Sequence, residues 1–208
     1  MRGFGASDEL PKVGPVELLD VLIDDLLEVA GTGSPAHLVG ESAGGTVTLA
    51  AALRHPERVA SVTLINAAFA GRGIGQIDGW RRIFDEEGVS GWSRRMMEWR
   101  FAPGALSPEE ASWFAQQQER STSAAVLAIV DMLAGIDLTG QLPNLRPPLL
   151  ILAPDQSPFV PITMAASLKK YVPDSELRIF PGVRHGLPFS HPGECASALL
   201  DFLERRTP

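Results

Sequence analysis

The sequence predicts an α/β fold: a parallel sheet whose strands are separated by helices. Three observations carry this. Four short apolar runs, at Ala36–Gly40, Ser61–Asn66, Pro148–Ala153 and Glu176–Pro181, have the length of strands. Two of them have continuous apolar cores, Val62-Thr63-Leu64-Ile65 and Leu149-Leu150-Ile151-Leu152. Continuity rather than alternation marks parallel strands covered on both faces. Helical patterns lie between the runs, which argues right-handed crossovers.

Taken in order, the first helix is expected over Val16 to Leu27. Leu19, Leu22, Ile23 and Leu26 fall on one face at helical spacing. Asp20, Asp24 and Asp25 fall mainly on the other and read as a solvated face, without the histidine or loop context of a metal site. The first strand follows, then a small-residue helix from Gly44 to Leu53. Ile162 to Tyr171 and Gly193 to Glu204 are the last two expected helices.

Residues 71 to 145 break this rhythm with helical patterns and no convincing strand. All four tryptophans (Trp80, Trp92, Trp99 and Trp113) lie there. Helices are expected over Asp78–Glu86, Ser90–Phe101, Pro108–Glu119 and Ser121–Leu133, with caps at Asp78, Ser90, Ser107 and Ser121. Ser107-Pro108-Glu109-Glu110 is the best start, with Pro at the first helical position and acids in the first turn. The division expected is therefore a core of residues 1–70 and 146–208 and a helical cap of 71–145. Trp92, Met96 and Trp99 are candidates for an apolar substrate pocket under that cap, although large apolar side chains more often hold a core together. Gly71-Arg72-Gly73-Ile74-Gly75 lacks the G-x-G-x-x-G spacing of a dinucleotide loop and reads as a hinge.

The chain has 208 residues, 45% of them hydrophobic, enough for one domain with or without an insertion. A net charge of −7 and the lack of a basic cluster argue against nucleic-acid binding. Cys195 is the single cysteine, so neither a disulfide framework nor a cysteine-based zinc site is expected. No metal or organic cofactor is implied. The opening Met1-Arg2-Gly3-Phe4-Gly5 has no apolar signal region, and no apolar run approaches membrane-spanning length. A cytoplasmic protein without membrane partners is the expectation.

The chemistry concentrates in Leu38-Val39-Gly40-Glu41-Ser42-Ala43-Gly44-Gly45. A buried strand runs into G-x-S-x-G and then into a helix, the sequence form of a nucleophile elbow. So tight a turn needs small residues around the serine, and Gly40 and Gly44 stand two positions away. It would hold the Ser42 hydroxyl above the sheet, with the Ala43 N–H as an oxyanion donor.

A serine nucleophile needs a base and a group to orient that base. His37 opens the strand before Ser42, His55 sits where a helix ends, and His191 precedes a proline. His185 lies in Pro181-Gly182-Val183-Arg184-His185-Gly186, just after the last strand, where parallel sheets place their sites. It is the base candidate. Asp155 is the only carboxylate in the loop Ala153 to Pro161 and the candidate acid. Its alternative reading, a turn-forming Asp after Pro154, stays open.

The order Ser42, Asp155, His185 and the elbow together resemble the α/β-hydrolase superfamily along the whole chain. Arg2-Gly3-Phe4-Gly5-Ala6-Ser7-Asp8, His55-Pro56-Glu57-Arg58-Val59 and His185-Gly186-Leu187-Pro188-Phe189 support the resemblance. The helical insertion is loosely similar to the cap of 3-oxoadipate enol-lactonase-like esterases. The resemblance implies a serine hydrolase acting on a small carboxylic ester or lactone through an acyl-enzyme. Acyl transfer on the same triad is an alternative.

Two departures qualify it. The family's acid usually stands at the position of Ser157, or otherwise after the Val62–Ile65 strand, where this chain has Asn66. The family's first strands and the loop supplying a second oxyanion donor are also missing. That implies an N-terminally truncated fold with an unpaired sheet edge, through which a homo-oligomer could form. A catalytically impaired hydrolase-like fragment or binding module is the competing expectation.

Overall fold

The computed structural model describes residues 1–76 and 79–206. Four parallel strands form one sheet in the order β1-β2-β3-β4: β1 Ala36–Glu41, β2 Val59–Ile65, β3 Leu149–Pro154 and β4 Glu176–Phe180. Among the described residues eight α-helices accompany them: α1 Pro15–Ala30, α2 Ala43–Arg54, α3 Trp80–Arg100, α4 Pro108–Glu119, α5 Ser123–Gly135, α6 Ile162–Tyr171, α7 Leu187–Ser190 and α8 Pro192–Arg206. The α/β architecture read from the apolar runs is the one observed.

Burial on both faces holds for the two central strands only. All six residues of β3 are buried, and so are six of the seven of β2. In β1 burial alternates, with Leu38 and Gly40 buried and His37 and Val39 exposed, while β4 has no buried residue. The difference follows from position. Among the described residues β1 pairs only with β2, and β4 only with β3, so both are edge strands. Side chains alternate across a strand, and an edge strand lies at the margin of the helices that cover the sheet.

The helices between β2 and β3 do not build a separate core. Leu18, Leu22 and Ile23 of α1, Leu49 of α2, Trp92 and Met96 of α3, and Ile129 and Leu133 of α5 belong to one apolar cluster. A smaller cluster on the opposite face joins Ile65, Leu150 and Leu152 to Cys195, Ala198 and Phe202 of α8. Burial there pushes the Cys195 thiol up to about 11, as expected of a small apolar side chain.

Helix boundaries follow local chemistry. Ser107 accepts from the Glu110 N–H at 3.2 Å, while the Glu110 carboxylate accepts from the Ser107 N–H at 2.8 Å, a reciprocal capping box. Ser121 does not cap α5; the Thr122 hydroxyl does, accepting from the Ala125 N–H at 3.1 Å. α3 is two helices joined across a break at Gly88, with φ 66° and ψ −167°, a left-handed conformation open to a residue without a side chain. The break falls between Glu86 and Ser90, where the expected helix Ser90–Phe101 was to begin. Asp78 lies outside the described residues. Gly71–Gly73 forms a short 3-10 turn, and the Gly75 N–H donates to the Phe159 carbonyl, tying this segment to the loop after β3.

Candidate active site

The site begins at the turn from β1 into α2. Ser42 has φ 52° and ψ −120°, an unfavourable conformation for a residue with a side chain. Its backbone is held on both sides: the Ser42 N–H donates to Ile65 O at 3.0 Å, and Ser42 O accepts from the Thr46 N–H at 3.1 Å. Crowding explains the glycines. A Cβ on Gly40 would lie 2.5 Å from Thr48 Oγ1 and 2.6 Å from Gly44 O, and one on Gly45 would lie 2.4 Å from the Ala67 Cβ. Gly44 meets nothing within 4 Å, so the close approach falls on Gly40 of the motif and on Gly45 after it, not on Gly44. Ala43 opens α2, in the first turn where backbone N–H groups have no partner within the helix.

The loop after β4 brings His185 over this turn. Gly186 anchors the loop: its N–H donates to Arg100 O at 2.9 Å, and a Cβ there would lie 2.2 Å from the Phe101 ring. His185 is 1% exposed, and its Nε2 lies 2.8 Å from Ser42 Oγ. Burial, and then the nearby Arg100 guanidinium, hold the imidazole pKa well below its ordinary value, so the ring is neutral near pH 7. The other three histidines bond elsewhere: His37 with Ser61, His191 with Ser190, and His55 beside Glu57.

On the far side of the ring, Nδ1 meets Asn66 Nδ2 at 2.5 Å and Ser157 Oγ at 3.1 Å. Asn66 Nδ2 also donates to His185 O at 3.2 Å and to Ser157 Oγ at 3.3 Å. Ser157 Oγ accepts from the Val160 N–H at 3.1 Å and from the Phe159 N–H at 3.4 Å. Asn66 follows β2 with φ 51°, a left-handed conformation that asparagine tolerates.

Asp155 is not among these partners. Its Oδ1 accepts from the Gly182 N–H at 2.7 Å, closing the loop after β3 onto the turn after β4. This is the turn-forming role. The acid assignment is corrected on that ground: the carboxylate is committed to a backbone donor, and the two residues on Nδ1 are neutral. Asn66 and Ser157 stand where the family resemblance placed an acid, and a polar side chain there was the available signal.

Two further residues escaped the sequence reading. Glu41 Oε1 lies 3.7 Å from His185 Nε2 and 3.9 Å from Arg100. Its side chain is 32% accessible, yet Oε1 itself is buried without a hydrogen-bond partner, as is Arg100 Nε. Burial raises the Glu41 pKa, and the Arg100 charge partly opposes the rise. Neither residue carries a pattern of its own; the fold alone brings them together.

Aromatic rings cover the imidazole. Phe159 meets His185 edge-on, centroids 4.7 Å apart, and Trp99 and Trp80 meet Phe159 at 5.7 and 5.6 Å. Trp92 lies a ring further away, against Trp80 and stacked on Phe84. Of the three expected pocket residues, Trp92 and Met96 are packed into the core with essentially no free surface, at 5% and 0% exposure. Their role is corrected to packing, and Trp99, only partly buried, stays beside the site. Among the described residues no group of three or more His, Cys, Asp or Glu side chains could hold a metal ion. No helix of the described residues is long and apolar enough to cross a membrane.

With this geometry in place, the comparisons with known proteins decide the family. The sequence matches the model described as "Alpha/beta hydrolase family" over residues 1–198. The chain belongs to that family. It is 27% identical over 210 residues to polyketide synthase ThaQ of Burkholderia thailandensis, covering 97% of this chain but only 10% of that protein. It is also 27% identical over 216 residues to the pimeloyl-[acyl-carrier protein] methyl ester esterase of Photobacterium profundum, covering 98% of this chain and 82% of that protein. In fold it is similar to the thermophilic esterase of Thermogutta terrifontis, with TM-score 0.85, 23% identity, and coverage of 100% of this chain and 79% of the other.

Proposed function

We propose that this α/β hydrolase cleaves a small carboxylic ester, or a lactone as its cyclic form, through an acyl-enzyme on Ser42. The observation that carries the reading is Ser42 Oγ, held in a strained turn at the start of α2, 2.8 Å from His185 Nε2. Ser42 Oγ attacks the carbonyl carbon. His185 takes the hydroxyl proton at Nε2 and returns it to the leaving alcohol. Negative charge on the carbonyl oxygen develops beside the Ala43 N–H, where the start of α2 favours an anion. Water then attacks the acyl-enzyme, giving its proton to His185, which passes it to Ser42 Oγ as the bond from Oγ to the acyl carbon breaks and the acid departs. An acceptor other than water would make the same groups an acyltransferase.

The helices of residues 71–145 are the proposed cover of the site, with Trp99 and Phe159 as its apolar wall. The esterase names of the methyl ester esterase and the Thermogutta enzyme support a carboxylic ester as substrate class. A second reading, a hydrolase-like chain with little turnover, is favoured by one observation: neutral Asn66 and Ser157 occupy His185 Nδ1. The test is acyl trapping. Purified protein is mixed with p-nitrophenyl acetate, quenched in acid and digested, and the peptides are weighed. Acetyl on the Ser42 peptide, absent from Ser42→Ala, is expected. Equal labelling of both proteins would sink the serine mechanism.

A further inference from the structure

We propose that Glu41 is a positioning residue whose carboxylate offsets the positive charge that His185 gains on taking the Ser42 proton. The inference rests on Ser42 and His185 being the reacting pair.

Glu41 ends β1 in register with Ile65 of β2, one residue before Ser42. The backbone that aims the Ser42 hydroxyl at the ring therefore places the Glu41 side chain as well. Its Oε1 is buried and accepts no hydrogen bond. A buried acceptor without a donor is costly, and more so when ionised. Such an atom calls for a cause, and its neighbours supply one. Oε1 lies 3.7 Å from His185 Nε2 and 3.9 Å from Arg100 Nη1. Both separations are too long for a hydrogen bond and short enough for charge to act. Among the described residues no other carboxylate pairs with a His185 nitrogen, and Asn66 and Ser157 on the opposite edge are neutral.

In the resting site the imidazole is neutral, because burial and Arg100 disfavour its charged form. Oε1 then gains little from it. Attack changes that. Ser42 Oγ bonds to the carbonyl carbon, the π pair moves to the carbonyl oxygen, and the Oγ proton passes to Nε2. A positive ring now stands 3.7 Å from an oxygen shielded from water, where opposite charges attract strongly. Glu41 exchanges no proton, and the Arg100 guanidinium favours its ionised form. The attraction is absent before proton transfer and present during it, so it lowers the barrier rather than tightening binding. A neutral residue at position 41 would leave Arg100 acting on the ring unopposed. An opposite charge within about 4–6 Å moves a pKa by about 1–3 units, tenfold each, which sets the scale.

The experiment uses the full chain and p-nitrophenyl acetate. Glu41→Gln and Glu41→Ser both remove the charge, the first at nearly constant shape. Each should lose at least about 10-fold in kcat, with KM within about 2-fold. The same substitutions are then made in His185→Ala. There the loss should shrink below about 2-fold, because no imidazolium forms for the carboxylate to offset. If Glu41→Gln fails to fold, Glu41→Ser carries both comparisons. A kcat within about 2-fold of wild type overturns the proposal. So does a loss of equal size with and without the imidazole, which would mark damage to the elbow rather than a lost charge. Failure of the reacting-pair reading shows differently: Ser42→Ala or His185→Ala alone would turn over as fast as wild type.

Discussion

The two edges of the His185 ring are built differently. The Nε2 edge faces a hydroxyl held by a strained backbone, a helix start and two glycines that admit no side chain. The Nδ1 edge faces an amide and a hydroxyl, with no carboxylate to orient the ring. A serine–histidine contact is thus present on one side, and no acid meets the ring on the other. Attack on a carbonyl needs only the first; rapid turnover needs both.

The largest expected effect lies on the Nε2 edge. Ser42→Ala should reduce ester cleavage by at least about 10³, to the level of the free oxyanion donor and binding. Stopped-flow release of p-nitrophenol checks it, and a loss below tenfold would place the nucleophile elsewhere.

The elbow glycines sharpen the comparison through stability. Gly45→Ala places a Cβ 2.4 Å from the Ala67 Cβ and should cost about 1–3 kcal/mol as overpacking. Gly44→Ala meets open space within a helix and should stabilise by roughly 0.5–1 kcal/mol. Urea unfolding of the pair checks both, and equal effects would mean that the motif glycine, not the crowded one, sets the turn.

His185 also links the site to pH. Its pKa is depressed in the fold, so between that folded value and about 6.5 the unfolded chain binds more protons. Stability should therefore fall as pH drops through about 6.5 and level off above it. The acid limb of kcat/KM should lie below about 6.5 for the same reason. Urea midpoints from pH 4 to 8 and a rate profile test this; an acid limb above 7 would mean that a charge, not burial, governs the ring.

The smallest effect is expected at Asp155. Asp155→Asn weakens the bond from the Gly182 N–H and should cost about 1 kcal/mol of stability. Turnover should change less than about 2-fold if the carboxylate only closes the loop. A thousandfold loss would restore it as the acid.

Several features were legible along the chain because each is local. The continuous apolar runs of β2 and β3, the Ser107 capping box and the elbow glycines express spacing and sterics within a few residues. The expected helix Ile162 to Tyr171 is α6 as observed. The elbow singled out Ser42 and position after the last strand singled out His185, and the two side chains meet at 2.8 Å. The edge burial of β1 and β4 was not legible, because it depends on strand order in the sheet. Nor was the core position of Trp92 and Met96, since an aromatic stripe reads alike whether it lines a pocket or fills one.

The acid position shows where local reading stops. Composition offered one carboxylate in the loop after β3, and Asp155 was the natural candidate. Only the folded chain shows that carboxylate turned to Gly182, and residues 66, 157 and 185 gathered from three loops 119 positions apart at their extremes. The sequence by itself determined the strands, most of the helices and the candidate pair Ser42 and His185, because short-range sterics and hydrophobic period write themselves into neighbouring residues. The tertiary structure alone decided what meets His185 Nδ1, because a hydrogen-bond partner is chosen by distance in space, over which order along the chain has no hold.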